Sequence, residues 1–276
     1  MKIVVSITSS PEDIKHLSKT IDSIQSGLIQ PIEILVTLTN KQKYTIPDFL
    51  RRKKGVRINR IDQDYGALNG LVGFTQQYKL TEDVHCVLVS STCQYPRNLL
   101  SEYVNNTNSM DAVLKEKISN FTGAAYGLAG IVIVPNKKRV LDMEFNNLIS
   151  GKEEKFEQRT MIGYIKDNAT VDVLETFGTI LLHRRYLEDD FIVYLDRVQL
   201  LIADSYSFCT DMLLSNYLTS KGIIKTQLCN LNINRFMLDS GGFTEKRKSR
   251  SKSDKEQIYL NTVNYLRAIN SFKLWE

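Results

Sequence analysis

Three hydroxyl side chains stand in a row at Ser90, Ser91 and Thr92, directly after an apolar run at 86–89 and just before Tyr95-Pro96. An apolar run of that length reads as a buried strand. Small polar groups where the backbone leaves a strand suit ligand binding, because open α/β sheets bind ligands beyond the carboxyl ends of their strands. The same residue types also favour turns and helix N-caps. Two more tips of this kind come earlier. Thr8 and Ser9 end the run at 3–7, and Asp62-Gln63-Asp64 ends the run at 56–61. Asp64 is equally placed to cap the helical segment that follows it.

The elements that would position these tips are legible in order. Residues 3–7, 32–38, 56–61 and 86–89 read as strands, with a helix between the first two. That helix has Ser10 as N-cap, Pro11 in its first turn, and Ile14, Leu17, Ile21 and Ile24 on one face. Strand, helix, strand at this tempo makes a βαβ unit, so the sheet should begin parallel and all three tips should share one edge. Helical segments are expected at 68–78, 97–104 and 209–218, and further strands at 131–135, 171–175, 179–183 and 225–231. Residues 136–167 read as a polar excursion with a helix-like 153–158. The fold class is therefore α/β, a mixed, mostly parallel sheet flanked by helices, with a C-terminal helical extension. Residues 1–239 form the main domain, and 240–276 a basic linker and terminal helix that pack on it.

Composition sets bounds on function. The 276 residues are 42% hydrophobic and 24% charged, ordinary values for a globular chain. Much of the net charge of +5 falls at 246–255, which leaves the rest near neutral and argues against a nucleic-acid groove. Cys86, Cys93, Cys209 and Cys229 form no C-x-x-C pair and have no histidines at zinc spacing. No apolar run reaches the roughly 18 residues of a membrane span. A cytoplasmic location with reduced thiols is the expectation, and oligomeric state is not legible.

With those residues placed, the chain resembles the GT-A glycosyltransferases, a nucleotide-sugar-dependent α/β fold family. The opening VVSITSSPEDIKHLSKTIDSI is similar to the strand, hydroxyl tip and helix that start such proteins. Asp64-Tyr65-Gly66-Ala67-Leu68-Asn69-Gly70 resembles an Asp-x-Gly-Pro-Ala-Thr-Lys-like segment, with Ala67 for the Pro and Gly70 for the Lys. VHCVLVSSTCQYP has the shape of the strand that runs into an acidic cluster and a Tyr-Pro, with Ser90, Ser91 and Thr92 in the acidic positions. Residues 171–178 and 210–218 resemble two later motifs, the second carrying Asp211 at the start of a helix. The likeness spans about residues 1–230 in the family's order.

The resemblance implies transfer of a sugar from a nucleotide-diphosphate donor to a hydroxyl of a glycan or other acceptor, with inversion. Thr8, Ser9, Asp62, Asp64, Tyr65, Ser90, Ser91 and Thr92 would hold the donor. Asp211 would be the general base and Glu175 would bind sugar hydroxyls, with Asp204 as an alternative base. Hydroxyls are poor ligands for hard cations, so no protein-held metal is expected, and Mn or Mg would bind through the donor diphosphate. Arg184, Arg185, Lys225, Arg235 and the cluster at 246–252 are alternative partners for phosphate. No nucleic acid and no membrane span are implied. The alternatives are a catalytically inactive GT-A-like module that binds a glycan or a partner transferase, and a nucleotidyltransferase, which would need an acidic metal site.

Overall fold

A computed structural model describes residues 1–133, 158–162, 169–176, 179–202 and 209–228, together with Thr262 and Leu266. The first half runs β1 (Ile3–Thr8), α1 (Leu17–Gln25), β2 (Glu33–Thr39), α2 (Asp48–Arg52), β3 (Val56–Ile61), α3 (Asn69–Gln77), β4 (His85–Ser90) and α4 (Leu99–Lys117). Then come β5 (Ala124–Gly127), β6 (Ala129–Ile133), β7 (Gln158–Ile162), β8 (Ala169–Thr170), β9 (Val173–Leu174) and β10 (Ile180–His183). The last are α5 (Asp190–Leu201), α6 (Thr210–Ser220) and β11 (Ile224–Gln227).

Eight strands form one sheet in the order β3-β2-β1-β4-β10-β5-β11-β8, and β7-β6-β9 form a smaller antiparallel sheet. In the large sheet six strands point one way; β10 and β8 run against their neighbours. This is the mixed, mostly parallel α/β architecture expected from the sequence. Both faces are covered, so successive strand residues enter opposite cores. Val4, Leu35, Cys86 and Leu88 pack with α3, α5 and α6, whereas Val5, Val36, Val87 and Val89 pack with α1, α2 and α4. Strands covered on both faces read as continuous apolar runs, which is why β1, β2 and β4 were plain in the sequence.

Elsewhere the structure differs from the expected elements. The α-helix expected from Ser10 begins only at Leu17, after a turn and a 3₁₀ segment at Ile14–His16; the Ser10 hydroxyl still accepts from Asp13 N at 3.2 Å. The helix expected at 97–104 runs on for 19 residues to Lys117. Its polar middle lacks apolar periodicity, but Leu114 is buried and Thr107 and Asn106 hydrogen-bond back to Tyr103 O and Glu102 O. Helix α5 occupies a stretch for which the sequence predicts no element; Phe191, Leu195 and Val198 form its buried face. Gln158 opens strand β7 rather than closing a helix, and 153–157 lie outside the described residues. So do the basic linker and most of the terminal helix, from which Thr262 and Leu266 are described as helical and buried.

Candidate functional site

The parallel order β3-β2-β1-β4 brings the three polar tips to one edge. In register, Thr8 sits beside both Thr37 and Ser90, and Thr39 beside Ile61, the last residue before Asp62. The tips are built differently. The Thr8 hydroxyl accepts from Gly70 N at 2.8 Å and donates to Ala67 O at 3.3 Å, which ties β1 to the start of α3. Ser9 is buried, and its carbonyl accepts from the Tyr44 hydroxyl at 3.0 Å.

Asp62 is exposed and accepts from Asn40 Nδ2 at 2.8 Å. Asp64 is half-buried, and its Oδ1 accepts from Gly66 N at 3.0 Å and Asn69 Nδ2 at 2.8 Å. Gly66 has φ +60, a left-handed conformation that favours glycine. Asn69 Oδ1 also accepts from Tyr65 N at 2.6 Å, so Asp64 and Asn69 clamp the turn from both ends. The Tyr65 ring is only 4% exposed, and its hydroxyl donates to Asp196 Oδ1 at 2.6 Å. Burial first, then the Asp196 carboxylate, hold the Tyr65 hydroxyl well above the usual phenol range.

At the β4 tip the hydroxyls turn toward each other. Ser90 Oγ and Thr92 Oγ1 are 2.9 Å apart, and Ser90 Oγ accepts from Thr92 N at 3.3 Å. Ser91 is buried, and its carbonyl accepts from the Thr20 hydroxyl at 2.9 Å. Tyr95, also buried, accepts from Ser90 N at 2.8 Å through its hydroxyl oxygen. This donor set does not fit a hard divalent cation, which prefers carboxylates and other strong oxygen ligands. Gly70, which stands where the resembled segment carries Lys, has no room for a side chain. A Cβ there would lie 2.7 Å from Leu88 Cδ1 and 3.0 Å from Ser6 Oγ, both in the packed interior.

Asp211 comes to the same edge through α5 and α6. The Tyr194 hydroxyl donates to Leu213 O at 3.2 Å and the Tyr217 hydroxyl to Asp190 Oδ1 at 2.6 Å, so the two helices run antiparallel. That register sets the first turn of α6 beside the later turns of α5. There Asp196 holds Tyr65, and Gln199 Nε2 donates to Asp64 O at 2.6 Å. The turn at Gly66–Leu68 also packs on α6. Asp211 and Ser215 lie one helical turn apart and bind one extended segment. Thr176 N donates to Asp211 Oδ1 at 2.9 Å, the Thr176 hydroxyl binds the same oxygen, and Leu174 N donates to Ser215 Oγ at 3.0 Å. Glu175, half-buried, sits between these two anchors. Burial pushes the Asp211 carboxyl above the usual range, and the two Thr176 hydrogen bonds oppose that shift.

Asp196 and Gln199 shape this site with no signal in the sequence, and Asn69 and Thr176 lie in the segments at 64–70 and 171–178 without a role assigned from the sequence. Only Asn69 carried a local signal, five residues after an Asp in a turn. Asp204, Phe177, Gly178, Arg235 and 246–252 lie outside the described residues. Arg184 lies at the far edge, where its guanidinium donates to Tyr78 O at 2.7 Å and to Leu187 O. Lys225 is buried and donates to the Thr219 hydroxyl, and burial lowers its ammonium to about 8. A cavity of about 230 Å³ lined by Gln25, Gln30, Pro31, Ile34, Lys54 and Gly55 also opens at that far edge, away from the polar tips.

Asp83, His85 and His183 gather at the far edge as well. His183 Nδ1 accepts from Arg185 N at 3.0 Å, which leaves the ring proton on Nε2, facing Asp83 Oδ1 at 3.0 Å. That tautomer turns an N–H, not a lone pair, toward the cluster, as suits a structural pair rather than a metal ligand.

No family model matches the chain, and no curated protein does. Among solved structures, TarS residues 1–349 from S. aureus align with 83% of this chain and 58% of that fragment, at 11% identity and a TM-score of 0.41. The same TarS fragment in complex with UDP-GlcNAc aligns with 83% of this chain and 59% of its own, at 12% identity and a TM-score of 0.41. A 4-diphosphocytidyl-2C-methyl-D-erythritol synthase from Anaerococcus prevotii aligns with 96% of each chain, at 11% identity and a TM-score of 0.42. The chain thus spans less than two thirds of the TarS fragment. Each likeness is weak, and the functional reading rests on this chain's own residues.

Proposed function

We propose that this chain is a glycosyltransferase that moves a sugar from a nucleotide-diphosphate donor to an acceptor hydroxyl with inversion. The observation that carries the reading is Asp211. It is a half-buried carboxylate, held by Thr176 at the first turn of α6 and set beside the edge where the strand tips converge. In the reaction the acceptor oxygen bonds to the anomeric carbon as the bond to the diphosphate oxygen breaks. Asp211 takes the acceptor proton, and the nucleoside diphosphate leaves with the electron pair. A carboxylate raised by burial is a stronger base than a solvated one, and Thr176 fixes its orientation.

Donor binding falls to the tips. Asp62 and Asp64 offer acceptors to ribose hydroxyls beside Thr8, Ser9 and Tyr65, and the β4 tip at Ser90, Ser91 and Thr92 closes the row. Because the β4 hydroxyls do not fit a hard cation, no step is assigned to a protein-held metal. Any Mn or Mg would enter with the diphosphate. Asp211→Asn keeps the size and the Oδ1 acceptor but removes the base. It should lower turnover by about 10²-fold or more with donor affinity unchanged. Unchanged turnover would sink the assignment.

A second reading is a binding module without turnover. The mutual hydrogen bond of Ser90 and Thr92 and the blocked position at Gly70 favour it, since both replace groups that the resembled family uses on the diphosphate. Tight donor binding with no transfer to any hydroxyl acceptor is the result it expects.

A further inference from the structure

The near-neutral charge outside 246–255 hides a strong local asymmetry. Residues 41–60 hold eight cations (Lys41, Lys43, Arg51, Arg52, Lys53, Lys54, Arg57 and Arg60) against one anion, Asp48. They occupy the loop after β2, helix α2 and β3, which ends the large sheet among the described residues. All but Lys53 are exposed. Lys53 pairs with Asp22, and Arg57 Nε lies 2.8 Å from Glu33 Oε1; the other six make no ion pair among the described residues. The frame beneath them is fixed. Leu50 is buried, Phe49 packs on the core, and Tyr44 anchors its loop to Ser9 O with Arg60 set 6.0 Å from its ring centre.

Charges on an edge strand also guard against strand-to-strand aggregation. That accounts for Arg57 and Arg60, which stand on β3, but not for Arg51, Arg52 and Lys54 or for Lys41 and Lys43. We propose that this α2–β3 edge is a docking surface for a linear phosphate polymer that carries no bases. The six residues of β3 span about 20 Å, with Arg60 on the face that carries Tyr44 and α2 and Arg57 on the opposite face, and arginine forks match phosphate oxygens. No large apolar side chain is exposed on this loop, α2 or β3, so nothing there would insert into a bilayer. Tyr44 and Phe49 face the core, which leaves no exposed platform for stacked bases. The proposal stands independently of the transfer reaction.

The test is binding of short-chain inorganic polyphosphate to the full chain, followed by calorimetry across a salt series. Wild type should bind, with affinity falling steeply as salt rises. R51Q/R52Q/K54Q/R60Q should weaken binding at least about tenfold and flatten the log–log salt slope by about three, with an unchanged melting temperature. K41Q/K43Q, confined to the loop, should lose affinity to a smaller degree in the same direction. K246Q/R247Q/K248Q/R250Q removes four cations from the other basic segment and should bind like wild type. Four results would overturn the proposal: no polyphosphate binding, equal loss in both four-site variants, tighter binding of single-stranded DNA, or binding of phosphatidylglycerol vesicles in place of polyphosphate.

Discussion

Asp211 and Thr176 form the contact on which the proposed chemistry rests, and their coupling has a measurable sign. Burial raises the Asp211 carboxyl while Thr176 lowers it, so removing the Thr176 hydroxyl should raise it further. In Thr176→Val, the acid limb of the pH–rate profile should move to higher pH. Thr176→Ser should restore it. An unmoved limb in Thr176→Val would mean that Asp211 does not set the rate. The base candidate was legible in the sequence only through a resemblance, because one acidic residue at a helix start looks like any N-terminal carboxylate. Its partner was not legible at all, since Thr176 and Asp211 lie 35 residues apart and meet only through tertiary packing. Asp64 shows the opposite case. A ribose ligand or a cap of the following helix were the two readings open from the sequence; in the structure its Oδ1 accepts from Gly66 N in the turn before α3, whose own N-terminus has no side-chain cap.

At the scale of elements, α3 sits close on the sheet. Gly70 and Gly73 face it one turn apart, and a Cβ at Gly73 would lie 2.2 Å from Thr37 Oγ1 and 2.9 Å from Asn59 Nδ2. Gly73→Ala should therefore destabilise the fold by about 1–3 kcal/mol, read from urea midpoints, although alanine is the better helix former. Greater stability would contradict the packing described here. Strands β1, β2 and β4 were readable because both faces are buried and each run is largely apolar, whereas edge strand β3 interleaves Arg57, Asn59 and Arg60 with its apolar residues. Strand β5 and helix α5 were not. β5 is Ala-Ala-Tyr-Gly, too short and small to carry a period, and the buried positions of α5 begin among acidic residues that mask its spacing.

At the scale of the molecule, the two sheet edges differ in chemical character. The carboxyl edge gathers the polar tips and Asp211, and the far edge holds a histidine pair. His85 Nδ1 is buried without a hydrogen-bond partner, and burial, helped by His183, lowers the imidazole to about 4. Unfolded, the same ring titrates near 6.5. Between these values the unfolded state binds more protons, so stability contributed by neutral His85 is complete above about 6.5 and lost as pH falls toward 4. His85→Gln should remove about 1–3 kcal/mol of that acid-side loss, allowing for partial solvent access. Denaturation at pH 4.5 and pH 7 in both proteins checks it, and an identical pH dependence would refute it. Net charge summed over long stretches concealed the basic edge at 41–60, because acidic residues elsewhere balance it in sequence but not in space.

On the proposed reading, the carboxyl edge holds a nucleotide-sugar donor without a protein-held metal. Calorimetric titration of the full chain with UDP, GDP and UDP-sugars, each in Mn and in EDTA, tests it most directly. At least one nucleotide should bind, binding should persist in EDTA, and Asp64→Ala should weaken it. Absence of binding to every nucleotide under both conditions would rule out a donor site at this edge.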